Sequence, residues 1–80
     1  RLPLYARTAK LLLGASSTTA EPSTIPIRQS DLAHMLGVSR MSVSKALKHL
    51  EGEGLVELGY GYIRLPAPAR VSAWLTSEGA

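Results

Sequence analysis

No cysteine and no phenylalanine occur among the 80 residues of this chain, and its densest apolar run is only Leu11 to Leu13. Without cysteine, neither a disulfide nor a thiolate metal site can staple a domain close to the lower size limit, so packing alone must hold it. The lack of thiols also fits a reducing cytoplasm. With no Phe, one Trp and three Tyr, the core falls to Leu, Val, Ile, Ala and Met. That set suits small packed helices better than a sandwich of aromatic-rich strands. Leu11–Leu13 is flanked by Lys10 and Gly14, far short of the roughly 18 residues that a membrane span needs, and it is no signal-peptide core. What is present is 45% hydrophobic residues, enough for one domain spanning 1–80 and no more.

The net charge of +3 says little until it is mapped. Residues 28–50 hold four bases (Arg28, Arg40, Lys45, Lys48) and one acid (Asp31), while 51–58 hold three acids and no base. A basic segment therefore ends abruptly at an acidic one, and an anion-binding face is expected within 28–50.

Along the chain, residues 3–13 read as a helix with Leu4, Ala9, Leu11 and Leu12 on one face and Gly14 as its stop. Residues 14–24 are small and polar, a mobile linker. Ile25-Pro26-Ile27 suits an edge strand, where proline's missing N–H does no harm. Leu32, Met35 and Leu36 form a helical stripe, with Ala33 one step off it. Gly37 permits a sharp turn, Ser39 is a good N-cap, and Val43, Ala46, Leu47 and Leu50 form the next stripe. Two short helices with a turn between them, about 29–51, are a helix-turn-helix. Gly52 and Gly54 stop the second helix. Leu55–Leu58 and Tyr62–Leu65 then form a hairpin around Gly59-Tyr60-Gly61. A last helix covers 68–76, with Val71, Trp74 and Leu75 on one side.

On a wheel of about 100° per residue, the apolar stripe of the second helix faces the core. Met41, Lys45 and Lys48 point away from it, with Arg40 and Ser44 on one flank and Ser42 and His49 on the other. A helix of this kind fits the major groove of duplex DNA, whose base edges accept hydrogen bonds from Arg and Lys. Arg40, Met41, Ser44 and Lys45 are the candidate base readers. Met41 either meets a thymine methyl or merely fills space. Ser39, Ser42 and Lys48, with Gln29 of the preceding helix, suit phosphates, and His49 is expected on a flank near them.

Other chemistries lack their parts. Ser30, Asp31 and His34 share one helical turn, and three neighbours on a short helix cannot build a triad with an oxyanion hole. His34 and His49 have no cysteine to help them hold a metal. Tyr60 and Tyr62 are expected to pack against the domain rather than to stack nucleobases. The chain is therefore read as a non-enzyme. A winged helix used only for protein contacts stays open as an alternative, although it calls for an apolar or acidic outer face.

The segment QSDLAHMLGVSRMSVSKALKHLEGEGLVELGYGYIRL resembles the DNA-binding domain of the Crp/Fnr family of bacterial transcription regulators, most specifically in DLAxxLGVSRxxVSxAL and GLVELGYGYIRL. The resemblance implies an α+β winged helix-turn-helix, mainly α, with its wing at about 55–65. It also implies sequence-specific duplex binding by a homodimer, with RNA polymerase as a further partner. Base-reading positions would fall on Arg40, Met41 and Lys45, and phosphate positions on Ser39, Ser42 and the start of the preceding helix. Met41 stands where many members carry an acid or Gln. Arg28 replaces the usual Ser or Thr cap and adds a phosphate contact instead. The uncharged wing tip leaves Tyr60 or its backbone as the contact there. Residues 39–47 also resemble the GntR type of winged helix. The family's sensor barrel and dimerisation helix do not fit in 80 residues, so the chain is expected to be the C-terminal part of a longer regulator. No cofactor site is assigned within it, and a sensor ligand such as a cyclic nucleotide would belong to that parent.

Overall fold

The computed structural model describes residues 2–16 and 21–79. Seven elements follow one another: α1 (Leu4–Ala15), β1 (Ser23–Ile25), α2 (Gln29–Leu36), α3 (Arg40–Gly52), β2 (Glu57–Gly59), β3 (Tyr62–Leu65) and α4 (Pro68–Gly79). The strands form one antiparallel sheet in the order β1-β3-β2. α1 packs on α3 and α4, and α2 packs on α3. No helix among the described residues is long and apolar enough to cross a membrane.

One core joins the layers. Leu12 of α1, Leu32 of α2, Val43, Leu47 and Leu50 of α3, Ile63 and Leu65 of β3 and Val71 of α4 are all buried in it. Each such side chain contributes about 1.5–3 kcal/mol of transfer free energy. Alanines allow the close approaches: Ala6 and Ala9 on α1 and Ala33 on α2 are buried. Trp74 and Leu75 pack on the core from α4 only in part.

Both helices of the central pair end in the same way. Val38 N–H donates to Ala33 C=O at 3.0 Å and Gly37 N–H to His34 C=O at 3.3 Å, with Gly37 at φ 68°. At the end of α3, Leu55 N–H donates to Leu50 C=O at 3.0 Å and Gly54 N–H to Glu51 C=O at 2.9 Å, with Gly54 at φ 76°. These are Schellman motifs, in which the left-handed residue turns the chain back and closes the orphan carbonyls. Only glycine adopts that conformation at no steric cost.

Several boundaries depart from the sequence reading. Gly14 does not stop α1, which runs to Ala15 and ends where the Ser16 hydroxyl donates to Leu13 C=O at 2.7 Å. Gly52 is the last residue of α3, and Gly54 is the one that turns left-handed. Leu55 is taken up by that motif, so β2 begins at Glu57 instead of Leu55. The hairpin turn is Tyr60-Gly61 alone, since Gly59 already pairs with Tyr62. β1 lies two residues earlier than Ile25–Ile27. Ile27 N–H donates to Ile25 C=O at 2.9 Å across Pro26, a tight turn that ends the strand. Met35 is 58% exposed and Ala33 is buried, so the core face of α2 is Leu32 and Ala33, with Leu36 at its edge. Of the linker at 14–24, residues 17–20 lie outside the described residues.

Candidate nucleic-acid interface

α3 begins with a cap made by sequence neighbours. Ser42 N–H donates to Ser39 Oγ at 3.1 Å, and the Ser39 hydroxyl donates to Ser42 Oγ at 2.9 Å. The cap satisfies one N–H at the helix start and holds both hydroxyls at the surface. Val43, Ala46, Leu47 and Leu50 are buried as the wheel requires, while Arg40, Met41, Lys45 and Lys48 are exposed and Ser44 is half-buried beside them. The cationic face thus points away from the core along the whole helix.

α2 begins differently. Arg28 has no acceptor atom with which to cap it. Instead, Asp31 Oδ2 accepts from Arg28 N–H at 3.3 Å, the carboxylate half of a capping box. Asp31 therefore has a structural partner, and the Arg28 side chain is left exposed. The spacing of Asp31, three residues into the helix, was the available signal for this role.

The wing comes alongside these two helix starts. A cleft of about 600 Å³ lies between them, with Arg28, Gln29 and Arg40 on one side and Tyr60 and Tyr62 on the other. Four candidate contacts from three separate stretches of the sequence (Arg28 and Gln29, Arg40, and Tyr60) so line one space. Met41, Ser44, Lys45 and Lys48 lie on α3 beyond it, and Ser39 and Ser42 sit at the helix start. Tyr60 is fully exposed, so the expectation that both tyrosines pack against the domain is corrected for Tyr60, whereas Tyr62, 42% exposed, does pack in part. β3 turns Ile63 and Leu65 inward, which forces Tyr62 to the opposite face. Its ring lies across Gly59, where an added Cβ would collide with the ring carbons. A glycine opposite an aromatic across a two-residue turn was the signal for Tyr62 that the sequence reading passed over.

Two charged groups outside the cleft have partners within the domain. Arg64 Nε lies 3.4 Å from Glu57 Oε1 across the β2–β3 ladder. The His49 ring is engaged within the protein. It stacks on Tyr5 of α1 with centroids 4.0 Å apart, and its Nε2 lies 4.0 Å from Glu53. Residue 49 falls on the flank that α1 covers. The Tyr5 hydroxyl donates to Glu78 Oε1 at 3.2 Å, and that carboxylate raises the phenol pKa above its ordinary value, assisted by partial burial.

The sequence and the fold are similar to those of known proteins. The chain is 40% identical over 63 residues to the HTH-type transcriptional regulator Cmr of Mycobacterium tuberculosis, covering 79% of this chain and 24% of that protein. Its fold superimposes on a CRP/FNR-family transcriptional regulator of Thermus thermophilus with a TM-score of 0.82, at 29% identity over 98% of this chain and 43% of the other. The reduced CO-sensing protein of R. rubrum gives a TM-score of 0.76 at 26% identity, over 86% of this chain and 35% of the other. The chain thus spans about a quarter of the curated relative and less than half of these structures. The profile of the Crp-like helix-turn-helix domain matches residues 6–74, which decides against the GntR type. By that match and by its winged helix-turn-helix architecture, the chain belongs to the Crp-like helix-turn-helix family, a family of transcription regulators and not of enzymes.

Proposed function

We propose that this chain is the sequence-reading module of a transcription regulator and that it lays α3 in the major groove of duplex DNA. The observation that carries the reading is the exposed Arg40–Lys48 face, bordered by the cleft to the wing. Arg40 forks onto guanine O6 and N7, the pairing that supplies about 1–3 kcal/mol of discrimination. Lys45 reaches a second acceptor, and Ser44 touches a base edge at close approach. Ser39 and Ser42 hold phosphate oxygens at the start of α3, with Lys48 farther along it. Arg28, Gln29 and Tyr60 line the cleft through which one backbone passes. No step calls for a cofactor in this chain. In the full-length protein we place a homodimer on two half-sites about one helical turn apart, in contact with RNA polymerase, in the cytoplasm and off the membrane. A sensor domain for a ligand such as a cyclic nucleotide would control it.

Selection from a randomised duplex library at moderate salt, carried out with the full-length protein, tests this. Inverted half-sites should be enriched, and Arg40→Ala and Lys45→Ala should each weaken binding to them by about 1–3 kcal/mol. Weak, salt-sensitive retention of every duplex, unchanged by either substitution, would refute sequence reading and favour a protein partner.

A further inference from the structure

We infer that Met41 makes this protein a reader of the pyrimidine 5-methyl group, an inference that rests on the placement of α3 in the major groove. Met41 is the second residue of α3 and is 70% exposed. It lies on the outward meridian of the helix, one turn before Ser44 and Lys45 and next to Arg40. In a helix-turn-helix the first turns of the second helix come closest to the base edges. Neither the burial pattern nor the cap leaves Met41 a role inside the protein.

The chemistry then narrows by elimination. Arg40, Ser44 and Lys45 can each answer a polar atom on a base edge, but a thioether side chain carries no hydrogen-bond donor and only a weak acceptor. Pressed against an amino group or a carbonyl oxygen, Met41 would strip water from a polar atom and return nothing, which is unfavourable. The apolar feature that the major groove displays is the methyl on C5 of thymine. The same carbon carries the methyl of 5-methylcytosine, so either base presents the same chemical group. Methionine is unbranched and polarisable, and it adapts to such a surface without an exact register.

The test uses the half-site recovered by the selection described above. Each thymine is replaced in turn by deoxyuridine, which removes only the methyl, and each cytosine in turn by 5-methylcytosine, which adds only the methyl. At one pyrimidine per half-site, loss of the methyl should weaken binding about fourfold, the transfer value of one buried methyl. Alternatively, if that position is cytosine, gain of the methyl should strengthen binding by a similar factor and identify 5-methylcytosine as the source. In Met41→Ala that position should become indifferent to the methyl, whereas Met41→Leu should keep the response. Because Met41 is exposed, both variants should melt with the parent protein. Enrichment of a site with no methyl effect at any pyrimidine, or an effect that persists in Met41→Ala, overturns this inference and leaves the DNA-reading proposal intact. Failure to enrich any sequence overturns both.

Discussion

The first two turns of α3 leave Arg40, Met41 and Lys45 open to solvent, whereas its last turns are held by α1 through the Tyr5–His49 stack and by the Gly54-Leu55 motif. Their charges differ as well, and in an instructive sense. A helix dipole favours acids at the N-terminal end and bases at the C-terminal end, by about 0.3–1 kcal/mol each. α3 has Arg40 and no acid in its first turn, and Glu51 and the cap residue Glu53 at its far end. The open end opposes the dipole, whereas the far end carries His49 beside its two acids. A helix arranged for its own stability would carry an acid in its first turn, and a base there is what the proposed polyanion contact calls for. The closed end acts as the anchor that lets the open end stay open.

The largest effect should come from removing what the two ends share. Val43 is fully buried, and Val43→Asp places an unpaired charge in a small core, at a cost of about 4 kcal/mol or more. Loss of the cooperative thermal transition followed by circular dichroism is the expected result, and a near-parental melt would refute the wheel. Arg40→Glu separates the two ends most sharply. It should abolish binding to the selected site while raising stability by about 0.3–1 kcal/mol, because the new charge suits the dipole. If binding and melting temperature fall together, the open end is structural after all.

Ser39→Ala removes the cap at the open end and should cost about 1 kcal/mol in denaturant unfolding. His49→Ala acts on the closed end, where loss of a half-exposed ring stack should cost about 0.5 kcal/mol and leave DNA affinity unchanged. The smallest signal belongs to Tyr5. Its phenol pKa is raised chiefly by the hydrogen bond to Glu78, so the fold favours the neutral phenol. That stabilisation is complete below the ordinary tyrosine value near about 10 and is lost as pH rises through the elevated folded value. Alkaline ultraviolet titration should show the Tyr5 transition moving down in Glu78→Gln, and an unmoved transition would remove Glu78 as the cause.

The central pair of helices was legible in the sequence because its signals are local. Gly37, Ser39 and the Val43-Ala46-Leu47-Leu50 stripe each act within one or two turns, and the structure places all of them where the spacing requires. The family likeness extended that reading to the winged architecture. The errors lie where the deciding partner is distant. Met35 and Ala33 are nearly equivalent on an isolated helix, and only the approach of α3 selects the smaller one for burial. Gly52 and Gly54 are alike as letters, yet the burial of Leu55 fixes which of them turns left-handed. The stacking partner of His49 was not legible because Tyr5 approaches from 44 positions away, counting from residue 5 to residue 49. The cleft itself was not visible in the sequence, since it exists only once β2 and β3 fold back beside α2 and α3. Asp31 and Tyr62 were the exceptions: their signals were local but were passed over.

The left-handed glycines on either side of α3 matter for change over time and for engineering. Gly37 and Gly54 fix where the α3 segment enters and leaves, and the inward stripe fixes its rotation, so none of the outward side chains at 40, 41, 44, 45 and 48 specifies the fold. The outward set behaves as an interchangeable inscription on a fixed stylus. Exchanging those five residues for the set from another regulator of this type should transfer its target preference with little shift in melting temperature, a result that library selection on the chimaera would read directly.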